Sequence, residues 1–295
     1  MPRRWTVHLM LLAAQLCFAS LSVIGRETVM RIPAGVVPLV RTAGGALAFC
    51  AIALGMGVLR LYRRDIPFLM LCALLGIVLN QELFIHGLAR SGAINATVLG
   101  STIPVFTVIC ALALRREQFH WLRGVGIALA FAGAGYLVGI AEFSVGGKHL
   151  LGSLMVLGNA ASYGVYLVIV RSVKDRYDPI GLIAILFMFA VPMTLPVGIA
   201  EWGDMPELTG ADYGRLAFLI AVPTVGAYAL VQSALKRAES TLVAAYIYLQ
   251  PVFVTFGAMA RLHESPSPRV LVAAPIVFLG VFLATRTPTV PASAR

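Results

Sequence analysis

The chain has 295 residues, of which 59% are hydrophobic and only 12% charged, whereas a soluble domain averages about 45–50% apolar and about 25% charged residues. A water-soluble fold has no way to hide that much apolar surface, so this class is excluded. The formal net charge of +10 is strung out between apolar blocks rather than gathered in a patch, so no nucleic-acid partner is expected.

The blocks have the length that about 30 Å of hydrocarbon demands of a helix, about 20 apolar residues. In chain order they predict spanning helices at 6–25, 34–59, 67–88, 93–114, 121–140, 150–170, 179–200, 214–235, 241–260 and 269–286. The expected class is an all-α integral membrane protein of ten transmembrane helices. The first block, flanked by Arg3 and Arg4, resembles a signal peptide but lacks a convincing small-residue cleavage site, so it is read as a retained helix.

Polar residues at mid-depth find no partners in lipid and are expected to face the bundle interior or a water-filled cavity. In the first helix Gln15, Phe18 and Ser22 recur at helical spacing, and in the sixth Asn159, Tyr163 and Tyr166 do the same. The eighth helix carries Thr224, Tyr228 and Gln232, and the ninth carries Tyr246, Tyr248 and Gln250. Such a chamber of amides and phenols would bind a polar or aromatic metabolite by hydrogen bonding and ring stacking, without a fixed ionic hook. The alternative is that these groups only hold helices together.

Arg41 in the second helix and Glu82 in the third are the deep charges. Their similar depth predicts either a mutual salt bridge or a functional role, with Glu82 exchanging a proton, His86 as its relay one turn away, and Arg41 attracting a carboxylate. Pro104 and Pro251 are read as kinks or hinges, as are Pro192, Pro196, Pro223 and Pro275. In the fifth helix Ala128, Ala132, Gly135 and Gly139 predict close helix packing. Glu117 and Glu264 are expected to cap the fifth and tenth helices. Cys17, Cys50, Cys72 and Cys110 lie within apolar blocks and read as packing residues. Neither a metal site nor a cofactor is expected.

Charge sets the orientation. Arg3, Arg4, Arg60, Arg63, Arg64, Arg115, Arg116, Arg123, Arg171, Lys174, Arg176, Lys236, Arg237, Arg286 and Arg295 share one side of the membrane, against Arg26, Arg31, Arg90, Lys148, Arg215, Arg261 and Arg269 on the other. Short loops richer in Lys and Arg stay in the cytoplasm, which places both termini inside.

The chain also repeats itself. At one constant offset Leu88 meets Leu235, Arg90 meets Arg237, Pro104 meets Pro251, Phe106 meets Phe253, Glu117 meets Glu264 and Gly133 meets Gly280. At a slightly different offset Phe18 meets Tyr163 and Arg26 meets Arg171. The repeats are placed at 1–145 and 146–295. Five helices per repeat is an odd number, so the second copy enters the membrane from the opposite side, the inverted architecture of carriers.

The stretch "LNQELFIHGLARSGAINATVLGSTIPVFTVICALALRREQF" at 79–119, its looser copy "LKRAESTLVAAYIYLQPVFVTFGAMARLHE" at 235–264, and Arg41 in "PLVRTAGGALAF" resemble the EamA family of ten-helix permeases in the drug/metabolite transporter superfamily. The resemblance adds Asn80, Gln81, Thr97 and Ser101 to the candidate binding residues. It implies secondary transport of a small molecule, with export of an amino acid or amphipathic metabolite favoured, proton coupling as an option and a bacterial inner membrane as the setting. A monomer is plausible. The sequence departs from the family pattern at Glu82 and at Phe18. The competing classes are an intramembrane enzyme, against which stands the lack of a GxSxG, HExxH or Walker pattern, and a scaffold or sensor, for which no appended soluble domain is seen.

Overall fold

In hydrocarbon every backbone N–H and C=O must find its partner within the segment, so each apolar block can only fold as a helix. The computed structural model describes residues 4–116, 120–138, 148–238, 242–243 and 246–285. Arg3, Glu117, Gly139, Arg286 and Arg295 fall outside the described residues, as do the side chains of Arg4, Lys148 and Tyr248. Ten helical spans follow one another: α1 Arg4–Val29, α2 Val36–Gly55, α3 Arg63–Ser91, α4 Ala93–Ala113, α5 Trp121–Val138, α6 Lys148–Ile169, α7 Pro179–Ala200, α8 Gly210–Leu235, α9 Gln250–Arg261 and α10 Pro268–Thr285. Seven of the helices are long and apolar enough to cross a membrane by length and composition, and α5 and α10 are shorter apolar helices.

The spans pack as a pseudo-two-fold pair of five-helix repeats. α2 lies against its counterpart α7, and α5 against α10. α1 contacts α8 and α9, as α6 contacts α3 and α4. The irregularities repeat too. α3 widens into a π-helical turn at Leu74–Val78, and α8 does so at Ala221–Gly226. α4 breaks at Ser101–Thr102 and restarts at Ile103, while a tight turn at Tyr246–Leu249 leads directly into α9 at Gln250.

Pro104 and Pro251 occupy the first turn of these restarted helices. There the missing N–H would have had no intrahelical partner, so the breaks precede the prolines instead of being kinks at them. Pro192, Pro196 and Pro275 do lie inside continuous helices, and Pro223 lies in the π-helical turn of α8.

Two expectations about packing need correction. Ala128, Ala132 and Gly135 face outward, and a methyl built on Gly135 would meet nothing within 4 Å. The close approach of α5 to α10 uses the next face round. A methyl on Gly280 would sit 2.4 Å from the Ala130 nitrogen, and one on Gly126 would sit 2.3 Å from the Ala284 nitrogen. The Glu264 carboxylate, expected on α10, instead accepts from the Ala93 N–H at the start of α4, at 3.0 Å, with Arg26 Nε 3.4 Å from its other oxygen. A carboxylate still meets the positive end of a helix, but the helix belongs to the other repeat. Glu201 likewise accepts from the Gly35 N–H, at the start of α2, over 2.7 Å.

Candidate functional site

A cavity lies between the two repeats, bounded by α1, α2, α3, α4, α6, α8, α9 and the segment before α9. Of the candidate residues, Gln15, Phe18, Arg41, Asn80, Gln81, Thr97, Asn159, Tyr163, Tyr228 and Gln250 line it, and Phe18 and Tyr163 are counterparts in the repeat. Leu21, Phe84, Gly100, Ile103, Leu167, Val231, Val243 and Ile247 complete the wall. Sequence reasoning missed these, since an apolar liner has no signal distinguishing it from an apolar packing residue. The empty space between the walls is about 690 Å³, part of it open to the outside.

The wall is a set of cross-repeat hydrogen bonds. Tyr228 donates its hydroxyl to Asn80 Oδ1 at 3.0 Å, while the Asn80 backbone carbonyl accepts from Asn159 Nδ2 at 2.8 Å. Asn80 thereby joins α3 to α6 and α8. Gln250 Nε2 donates to Gln15 Oε1 at 2.6 Å, joining α9 to α1. Phe18 meets the Tyr228 ring edge-on, with centroids 5.8 Å apart.

The remaining candidates stand behind the wall. Thr97 Oγ1 lies 3.1 Å from Ser22 Oγ, and Ser101 donates to the Thr97 carbonyl. Tyr166 stacks on Tyr163 with centroids 5.5 Å apart and accepts from Gln232 Nε2, its ring lying over Gly76 in the π-helical turn of α3. Tyr246 pairs with His8 away from the cavity.

Arg41 and Glu82 do not pair. Arg41, 1% exposed, donates from Nε to Thr224 Oγ1 at 3.0 Å, and Thr224 in turn donates to the Leu219 carbonyl. That five-residue reach belongs to the π-helical turn of α8. Glu82 Oε2 lies 3.5 Å from His86 Nε2, and the same nitrogen lies 3.9 Å from Glu201 Oε1. Arg90 donates to the His86 carbonyl and lies 3.3 Å from His86 Nδ1. Glu201 links this group to the more exposed end of α7, with a side chain 33% exposed. Sequence reasoning missed it because it lies just past the last apolar residue of its span. Depth along a helix does not specify which way round the helix a side chain points, so of the two readings that equal depth allowed, the mutual salt bridge is the one not formed.

A chamber without an ionic hook is therefore corrected. Arg41 stands in the wall, and a lone charge at bilayer depth costs about 2.5–3.5 kcal/mol on insertion scales. Several polar atoms around the cavity are buried without a hydrogen-bond partner, namely Arg41 Nη1, both amide atoms of Gln81 and the Tyr163 hydroxyl. Among the described residues no three His, Cys, Asp or Glu side chains are placed to hold a metal ion.

The sequence profile of the EamA-like transporter family matches the chain twice, over residues 5–139 and 150–286. A protein of Archaeoglobus fulgidus, named only as an uncharacterized transporter, is 30% identical over 72% of this chain and 74% of its own length. A protein of Streptantibioticus cattleyicolor, named a probable terminal-alkyne amino-acid exporter, is 29% identical over 80% of this chain and 79% of its own. A solved crystal structure shares the fold with a TM-score of 0.68 at 19% identity, covering 96% of this chain and 98% of that one.

Proposed function

The chain belongs to the EamA-like transporter family, and on that premise we propose that it is a secondary transporter that moves a small polar or amphipathic metabolite by alternating access of its two inverted repeats. The observation that carries this reading is the cavity between the repeats, whose wall is built from pairs such as Gln15–Gln250 and Asn80–Tyr228 that cross from one repeat to the other. Rocking one repeat against the other changes those pairs first, and so changes which end of the cavity is open.

Export of an amino acid is the favoured direction and class, supported by the name of the Streptantibioticus relative. The setting is a bacterial inner membrane with both termini cytoplasmic, supported by the excess of Arg and Lys in the loops at the end of the molecule that carries the N-terminus. The energy comes from a substrate or ion gradient, and Glu82 is the coupling group, with His86 and Glu201 carrying a proton between it and water.

Reconstitution into liposomes tests this. Labelled amino acids, nucleobases and sugars are screened with and without a proton gradient, and flux of at least one compound is expected. Glu82→Gln is expected to remove the stimulation by the gradient while leaving counterflow exchange. No flux for any compound under either condition rejects the transport reading, and an unchanged pH dependence in Glu82→Gln rejects the coupling role.

A further inference from the structure

Arg41 is the one charged residue among the described residues lining the cavity. Its Nε is held by Thr224, its Nη1 is buried with no partner among the described residues, and among those residues no carboxylate lies within ion-pair distance of it. The acid nearest in depth, Glu82, lies beside His86 and does not line the cavity. A guanidinium withdrawn from water and left with an unused donor retains its strongest demand, for a planar anion that accepts two of its N–H groups or one at short range. No anion is built into the wall to meet it.

The rest of the wall narrows the choice. Phe18, Phe84 and Tyr163 present apolar ring surface, while the Gln81 amide and the Tyr163 hydroxyl hold donors and acceptors that nothing among the described residues uses. With one cation and no second one in the wall, the charge balance suits a monoanion rather than a dianion such as a phosphate monoester. An ammonium group has no carboxylate to meet and would rely on the Gln81 carbonyl oxygen and ring faces.

We propose that the cavity selects a small molecule with a single carboxylate on an apolar or aromatic body, the carboxylate seated on Arg41. The carboxylate then governs recognition, and an α-amino group is tolerated rather than required. This deepens the transport reading and rests on it only in calling the ligand a substrate, because the site predicts equilibrium binding whether or not turnover follows.

The test is equilibrium binding to the purified protein in nanodiscs, using two matched series of probes. One is 3-phenylpropionate, phenylalanine and phenethylamine, and the other is 4-methylpentanoate, leucine and isoamylamine. In at least one series the acid and the amino acid are expected to bind within a few-fold of each other, with the amine about 10- to 100-fold weaker, as loss of a charge-assisted pair implies. Arg41→Gln is expected to level that difference and Arg41→Lys to keep part of it. If Arg41→Gln does not fold, the wild-type ranking decides alone. Amines that bind as well as their acids in every series that binds, or no binding by any of the six, overturn the proposal. Carboxylate-selective binding without flux in liposomes would instead reject transport and leave the Arg41 site standing.

Discussion

Tyr163 and Tyr228 both line the cavity and both are buried, yet their hydroxyls have different surroundings. Tyr228 donates to Asn80 and lies 3.3 Å from the Gly76 carbonyl, whereas the Tyr163 hydroxyl has no partner among the described residues. Removing the first deletes a bond between repeats, worth about 1 kcal/mol, and removing the second deletes none. Tyr228→Phe is therefore expected to lower stability in denaturant titrations in detergent, while Tyr163→Phe leaves stability unchanged or slightly raised and acts on ligand binding alone. Equal losses of stability in the two variants would contradict this division of roles. At this scale the sequence was informative about which residues sit inside, because lipid gives an amide or phenol no other place to go. It was silent about partners. Arg41, Thr224, Glu82 and His86 were all singled out, but the pairing of Arg41 with Thr224 depends on a π-helical turn with no clear signature in the residues of Ala221–Gly226.

The helices themselves were easier to read than their interruptions. Nine apolar blocks became helices with ends shifted by a few residues, since hydrophobic length sets a spanning helix, while the block at 241–260 is regular α-helix only from Gln250. Azimuth was harder, as α5 shows. Small residues recur on two of its faces, and spacing does not say which one meets α10. A methyl group at position 280 would sit 2.4 Å from one backbone atom of α5 and 2.7 Å from another, the Gly126 carbonyl oxygen, and neither is free to move as a side-chain end is. Gly280→Ala is accordingly expected to cost about 1–3 kcal/mol by overpacking, whereas Gly135→Ala, facing open space, is expected to be neutral or mildly stabilising. Fluorescence-detected size exclusion after a temperature series reads both. A lower midpoint for Gly135→Ala than for Gly280→Ala would place the α5–α10 contact on the other face.

Over the whole molecule the repeat was legible from Pro, Arg, Glu and Gly recurring at one offset, and the structure extends it to features that no residue pattern announced, the matched π-helical turns of α3 and α8 and the break of α4 matched by the turn before α9. The break in α4 and the turn before α9 contribute Gly100, Ile103 and Ile247 to the cavity wall. At the end carrying Glu27, the charges of Arg31, Asp212, Arg215, Glu27 and Arg261 form a chain from the α1–α2 connection through α8 and α1 to α9. At the opposite end Asp65 ties the start of α3 to Arg176 and Tyr177, in the link between α6 and α7. The central claim is that the cavity between the repeats opens to each side of the membrane in turn. It is tested most directly at Gln81, which lines the cavity with neither amide atom bonded, so that a cysteine replaces it at little structural cost. With Cys17, Cys50, Cys72 and Cys110 replaced, Gln81→Cys in vesicles of defined orientation is exposed to a membrane-impermeant maleimide from either face. Labelling from both faces, with the balance between them shifted by a transported compound, is the predicted result; labelling confined to one face under every condition, or to neither, would contradict it.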